Sequence, residues 1–132
     1  MKDLICDEFQ NTVAELLIRH LLIRHHSVLD VLSKFQESCA RTNRATTKAV
    51  TGCGCISIKA EKQDIPTDIS FLEMKEYFGS HLEGQLCPNC KGRVEAELGN
   101  TLFYMAALCN LLNLNLYDLF LKEQNKLTTL NI

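Results

Sequence analysis

Tryptophan is absent from these 132 residues, and there are only two prolines and six glycines. So few helix breakers, alongside many Leu, Ala, Glu and Lys, point to a helical chain. No run reaches the roughly 18 consecutive apolar residues of a membrane span. A formal net charge of −2 removes any electrostatic reason to expect binding to nucleic acid or to a membrane. Low-complexity tracts are missing too. Met1-Lys2-Asp3 leads into mixed polar sequence and not into an apolar run, so no secretory leader is expected and a cytoplasmic location is. With 46% hydrophobic and 23% charged residues, the composition is that of an ordinary globular domain. It predicts one domain, 1–132, large enough for a core.

Against these absences stand seven cysteines. Four form two tight clusters, Cys53-Gly54-Cys55 and Cys87-Pro88-Asn89-Cys90. Paired thiolates one or two residues apart can each supply two ligands from a single turn, and four of them suit tetrahedral Zn²⁺. Gly54 lets the backbone fold tightly. Pro88 and Asn89 favour a turn, and amides at the start of a following helix stabilise thiolates. Cys53, Cys55, Cys87 and Cys90 are therefore the candidate ligands of a structural zinc. Cys87-Pro88-Asn89-Cys90 also looks like a thioredoxin-type redox pair, but no strand-helix-strand pattern surrounds it. Disulfides are disfavoured in a reducing compartment. His81 is a weaker fifth candidate, since four cysteines fill the shell. Cys6, Cys39 and Cys109 sit in helical patterns where a buried free thiol is expected.

Periodicity predicts helices on both sides of the clusters. From Asp3 to about Ser33, Leu4, Ile5, Phe9, Val13, Leu16 and Leu17 recur at helical steps. Leu16-Leu17-Ile18-Arg19-His20 then repeats at once as Leu21-Leu22-Ile23-Arg24-His25. Five residues turn a helix by about 500°, so the copy faces some 140° away and predicts burial on several sides or a break. His20, His25 and His26 lack an orienting carboxylate and read as polar-face or subunit-contact residues. The next helix, Val28–Val50, carries an apolar stripe of Val28, Val31, Leu32, Phe35 and Cys39. Another of its faces holds Glu37, Arg41, Arg44 and Lys48, beside Asn43. That face suits phosphate, or it is solvated surface with a Glu37–Arg41 pair.

The stretch from about 52 to 90 predicts an irregular, zinc-tethered insertion. Ile56–Ala60 alternates like a strand, but a single such run makes no sheet. Pro66 blocks a helix. Asp68 or Ser70 caps a short one through Phe78, with Phe71, Leu72 and Tyr77 expected to point inward. A loop of this length needs a tether. Zinc supplies one, contributing on the order of 10 kcal/mol to folding. The last third predicts a helix from Lys91 to Leu112, with Val94, Leu98, Leu102, Met105, Cys109 and Leu112 in register. A break follows at Asn113-Leu114-Asn115, then a helix from Leu116 to about Leu127. The fold class is thus all-α, a bundle of four to five helices. Apolar residues on more than one face predict a homo-oligomer, with a two-fold dimer as the default.

Glu97-Leu98-Gly99-Asn100-Thr101-Leu102-Phe103-Tyr104-Met105-Ala106-Ala107-Leu108, followed by Leu112-Asn113-Leu114-Asn115-Leu116, resembles the second helix pair of the MazG-like nucleotide pyrophosphohydrolases. The likeness covers the last quarter of the chain and, more weakly, the Ser33–Ala45 helix. It implies an all-α oligomer that handles nucleoside triphosphates with Mg²⁺. The family's acidic pattern is degenerate here. Gln36-Glu37-Ser38-Cys39-Ala40 keeps only Glu37 of the first motif, and Asn100 stands where the second motif has Asp after Glu97. Mg²⁺ is a hard cation that wants several oxygen ligands to neutralise phosphate charge during attack by water. Two carboxylates and an amide match that demand poorly, and Glu95 lies about 200° around the helix from Glu97. The resemblance therefore implies a non-catalytic module that binds a nucleotide or a protein partner through Arg41, Arg44, Lys48 and Asn100. The alternative it leaves is a Mg²⁺-dependent pyrophosphohydrolase using Glu37 and Glu97.

Overall fold

The computed structural model describes residues 2–18 and 27–130. Most of them are helical: α1 (Lys2–Ile18), α2 (Val28–Lys48), the short α3 (Phe71–Met74), α4 (Pro88–Leu111) and α5 (Leu116–Leu130). Two short strands, β1 (Ile56–Ile58) and β2 (Leu82–Gly84), complete the element order. The second pentapeptide of the Leu16–His25 repeat lies outside the described residues, as do His20, His25 and His26. The chain divides into two compact units, one of residues 1–41 with 96–132 and one of residues 42–95.

In the first unit the core is Val13 and Leu17 of α1, Val31 of α2, Ala106, Ala107 and Cys109 of α4, and Leu116 of α5. Phe9, Phe103, Met105 and Leu108 pack around it. Ser27 caps α2, its hydroxyl accepting from the Leu29 amide at 3.2 Å. Asn113 ends α4 in the left-handed region (φ 58). The Leu114 amide then returns to the Cys109 carbonyl at 2.8 Å, a Schellman-type closure. Asn115 caps α5 by accepting from the Asp118 amide at 3.0 Å.

This turn is clamped by Gln10 of α1, which is buried. Its amide nitrogen donates to the Leu114 carbonyl at 2.7 Å and its amide oxygen accepts from the Leu116 N–H at 2.9 Å. Asn110 donates to the Gln10 backbone carbonyl at 3.1 Å. One side chain thereby satisfies two backbone groups that the α4–α5 turn would leave orphaned.

Several expected faces are corrected. Within the first unit the buried residues of α4 are Ala106, Ala107 and Cys109, whereas Leu98 and Leu102 are nearly half exposed. Small side chains seat that part of the helix against its neighbours, and the leucines fall on another arc. On α2 the buried positions are Val31, as the stripe predicts, and Ser38, whose hydroxyl donates to the Phe35 carbonyl at 2.6 Å. Cys39, one residue on, is exposed and not a buried thiol. Cys6 is half-buried and Cys109 buried, where desolvation pushes the Cys109 thiol up.

The second unit begins on the last turns of α2. There Thr46, Thr47 and Thr51 donate to the carbonyls of Thr42, Asn43 and Thr47, each four residues back. Such back-bonding loosens a helix, and here Ala49–Cys53 widens into a π-turn. Gly54 closes it at φ 81, its amide reaching the Ala49 carbonyl at 2.9 Å.

The strand-like run that follows does find a partner. Ile56, Ser57 and Ile58 pair antiparallel with Gly84, Glu83 and Leu82. A three-residue strand such as Leu82–Gly84 carries too little alternation to be read in advance. Gly84 is required there: its φ is 88, and a Cβ would stand 2.5 Å from the Cys55 carbonyl. Ser70 caps α3 in a capping box with Glu73, as one of the two candidate caps. The inward packing expected of that helix is overturned, because Phe71 is 86% and Leu72 74% exposed, and Tyr77 is also exposed. Four α-helical residues followed by a 3-10 turn at Lys75–Tyr77 are too short to dictate which side meets a core.

Candidate metal centre and ligand pocket

Each cysteine pair owes its place to a local backbone device. The π-turn and Gly54 hold Cys53 and Cys55 on one corner of the second unit. Pro88 opens α4, its fixed φ and missing N–H suiting the first helical position. That leaves Cys87 as the residue before the helix, where its sulfur accepts from the Cys90 amide at 3.4 Å. The β1–β2 ladder then aligns the two corners. All four Sγ atoms lie within 4.8 Å of one another. Zn–S bonds of about 2.3 Å set tetrahedral sulfurs about 3.8 Å apart, and Cys53 Sγ to Cys87 Sγ is 3.8 Å. The cluster could hold a metal ion with small adjustment. It is far wider than a disulfide, whose sulfurs sit about 2.05 Å apart.

The surroundings prepare the thiols unequally. The N–H of Cys90, at the positive end of α4, donates to Cys87 and lowers that thiol to about 7. Its hydrogen bond with Cys87, and then burial, push Cys90 up to about 12. Cys90 is buried beside Ala49 and Ile56, with Val50, Cys55, Leu86 and Cys87 around them. Cys53 stays exposed. His81 stands apart from the four-sulfur group: the Gln63 amide donates to its Nε2 at 2.8 Å, and its carbonyl accepts from the Lys59 amide at 2.8 Å.

A separate polar pocket of about 100 Å³ lies within the first unit, lined by Lys34, Glu37, Ser38, Arg41, Asn100 and Tyr104. It brings together Glu37, Arg41 and Asn100, three of the residues singled out by sequence, from helices far apart in the chain. Lys34, Ser38 and Tyr104 were not singled out. Their signal was spacing alone, since Lys34 is one turn before Glu37 and Ser38, and Tyr104 one turn after Asn100. Glu37 pairs with Lys34 at 3.1 Å and not with Arg41, which also raises the Lys34 pKa. The Arg41 guanidinium has no ion-pair or hydrogen-bond partner among the described residues.

Glu97 does not line this pocket. It shares an arc of α4 with Tyr104, about 20° away, and Asn100, about 60° away. Its Oε2 is closed off from solvent with no hydrogen-bond partner among the described residues, a costly state for a carboxylate oxygen. Arg44 and Lys48 lie further along α2, exposed to solvent in the second unit.

Among the described residues, no helix is long and apolar enough to cross a membrane. No family model, no curated protein and no solved structure matches this chain.

Proposed function

We propose that the chain is a zinc-stapled, MazG-like helical module that binds a nucleotide without hydrolysing it and works as a homo-oligomer. The observation that carries this reading is the pocket joining Arg41 to Asn100 and Tyr104. An unpaired guanidinium in a small polar recess attracts a phosphoryl group, which it can grip with two parallel hydrogen bonds. A volume of about 100 Å³ holds one such group and not a whole nucleotide, so base and sugar would lie outside it. Zinc fits the donor set, because four thiolates are one of that ion's structural shells.

The test is thermal shift with a panel of nucleoside mono-, di- and triphosphates. A shift is expected that grows with phosphate number and vanishes in Arg41→Ala. No shift with any nucleotide, or one unchanged by Arg41→Ala, would remove the reading.

A second reading, the Mg²⁺-dependent pyrophosphohydrolase, is favoured by one observation: a buried oxygen of Glu97 that has no partner among the described residues. Against it, Glu37 is tied to Lys34, and Asn100 contributes no charge. Pyrophosphate release from nucleoside triphosphates with Mg²⁺ or Mn²⁺, abolished by Glu97→Gln, would replace the first reading with this one.

A further inference from the structure

Helix α5 is amphipathic, yet among the described residues much of its apolar face beyond the first turn stays exposed. Leu116 is buried, but Phe120, Leu121, Leu127 and Leu130 are 53%, 42%, 53% and 69% exposed. Phe120 and Leu127 lie about 20° apart on the helix, two turns from each other, with every other apolar residue of α5 within about 100° of Phe120. Asp118, Lys122, Asn125 and Thr129 occupy the opposite side. The face continues onto α1, where Ile5 and Cys6 join Tyr117, Phe120, Leu121 and Gln124 around an apolar groove of about 620 Å³.

We infer that this α1–α5 face is the surface through which a second copy of the chain docks, with the two α5 helices antiparallel about a two-fold axis. The inference gives a location to the self-association proposed above and rests on it. Three observations select a second copy. With exposed Leu4, Ile5 and Leu119 added, these side chains leave on the order of 700 Å² uncovered, close to the roughly 800 Å² that each partner contributes to a standard interface. The charges of α5 cancel, Asp118 and Glu123 against Lys122 and Lys126, so a like helix meets no net repulsion. A membrane-surface helix would instead carry a cationic polar face. The pattern is also self-complementary. With Phe120 opposite the partner's Leu127, the two-fold places Leu127 opposite the partner's Phe120, and Glu123 falls on the same edge as the partner's Lys126.

The experiment is solution mass by sedimentation equilibrium over a wide concentration range, on the full chain and on Phe120→Glu, Leu127→Glu and the opposite-face control Thr129→Glu. Helical circular dichroism and a cooperative melt confirm that each variant is folded. The expected result is about twice the 15.0 kDa chain mass for the native chain and the control. Each of the other two variants should raise the dissociation constant by roughly two orders of magnitude, as for a central aromatic anchor. A photo-crosslinker, Phe120→benzoylphenylalanine, should attach to the partner's peptide around Leu127. A dimer that survives both face variants, or crosslinks elsewhere, overturns the surface but leaves self-association standing. A native chain that stays monomeric removes both, and a monomer whose α5 variants lose binding to anionic vesicles assigns the face to a membrane.

Discussion

The first unit buries seven core residues drawn from four helices, and the second buries three, one of them a cysteine. The first is held by apolar packing and by the Gln10 clamp on the α4–α5 turn. The second has a two-strand ladder of three pairs, an exposed capped turn and four convergent thiols. A core of three small or medium side chains cannot offset the ordering entropy of some fifty residues, at about 1–2 kcal/mol each for the backbone alone. A metal ion, which the four sulfurs could hold, is a local device of sufficient size. The two units thus contrast two routes to order within one chain: area removed from water, and the convergence of four thiols that could hold a metal ion.

The largest expected effect comes from breaking the second route alone. Cys87→Ser, or exhaustive chelation, should remove the metal, measured as zinc per chain after purification without added metal. Hydrogen exchange should then show loss of protection from Ala49 to Cys90, while α1 and α5 keep theirs. The loss should be on the order of 10 kcal/mol for that unit. If the unmodified protein carries no metal, the contrast between the units fails.

Gly84→Ala is the next largest. A Cβ facing the Cys55 carbonyl at 2.5 Å, at φ 88, must displace the backbone that carries a ligand, so zinc affinity should fall at least tenfold. Gly54→Ala meets nothing nearby and should cost only its left-handed strain, about 1 kcal/mol. Competition with a chromophoric chelator separates the two.

Gln10→Leu breaks the first route instead. It strands the Leu114 carbonyl and the Leu116 amide, at about 1–3 kcal/mol for a buried group left unmet. The melting temperature should drop with zinc content unchanged. A variant that loses zinc as well would mean the two units are not independent.

The smallest effect is in reactivity. In metal-free protein Cys87 should be alkylated fastest near neutral pH and Cys90 slowest, read by mass spectrometry of the labelled peptides. Because the Cys87 thiol is lowered when folded, the stabilisation it brings is present above its unfolded value and is lost as pH falls through about 7. Cys90, raised to about 12, keeps its proton until a metal displaces it. Zinc affinity should therefore rise with pH.

Much of the molecule was legible in the linear order of residues. The helices α1, α2, α4 and α5 follow from spacing, the stops at Gly54 and Asn113 from local chemistry, and the four sulfur positions from their clustering. Where the reading failed, it failed on faces. Phe71 and Leu72 were expected inside because they are apolar, but a helix of one turn can present any side to a core. Leu98 and Leu102 keep the helical period and yet lose their place to Ala106 and Ala107. Lys34 took Glu37 from Arg41, since three-residue and four-residue neighbours compete for one carboxylate.

What the sequence alone determined is what a few adjacent residues can settle between them: caps, turns, periods and paired thiols. Burial, the pairing of β1 with β2, and the meeting of Arg41 with Asn100 and Tyr104 were decided only when distant segments packed. Those outcomes depend on which surfaces arrive opposite one another, and no window of neighbouring residues contains that information.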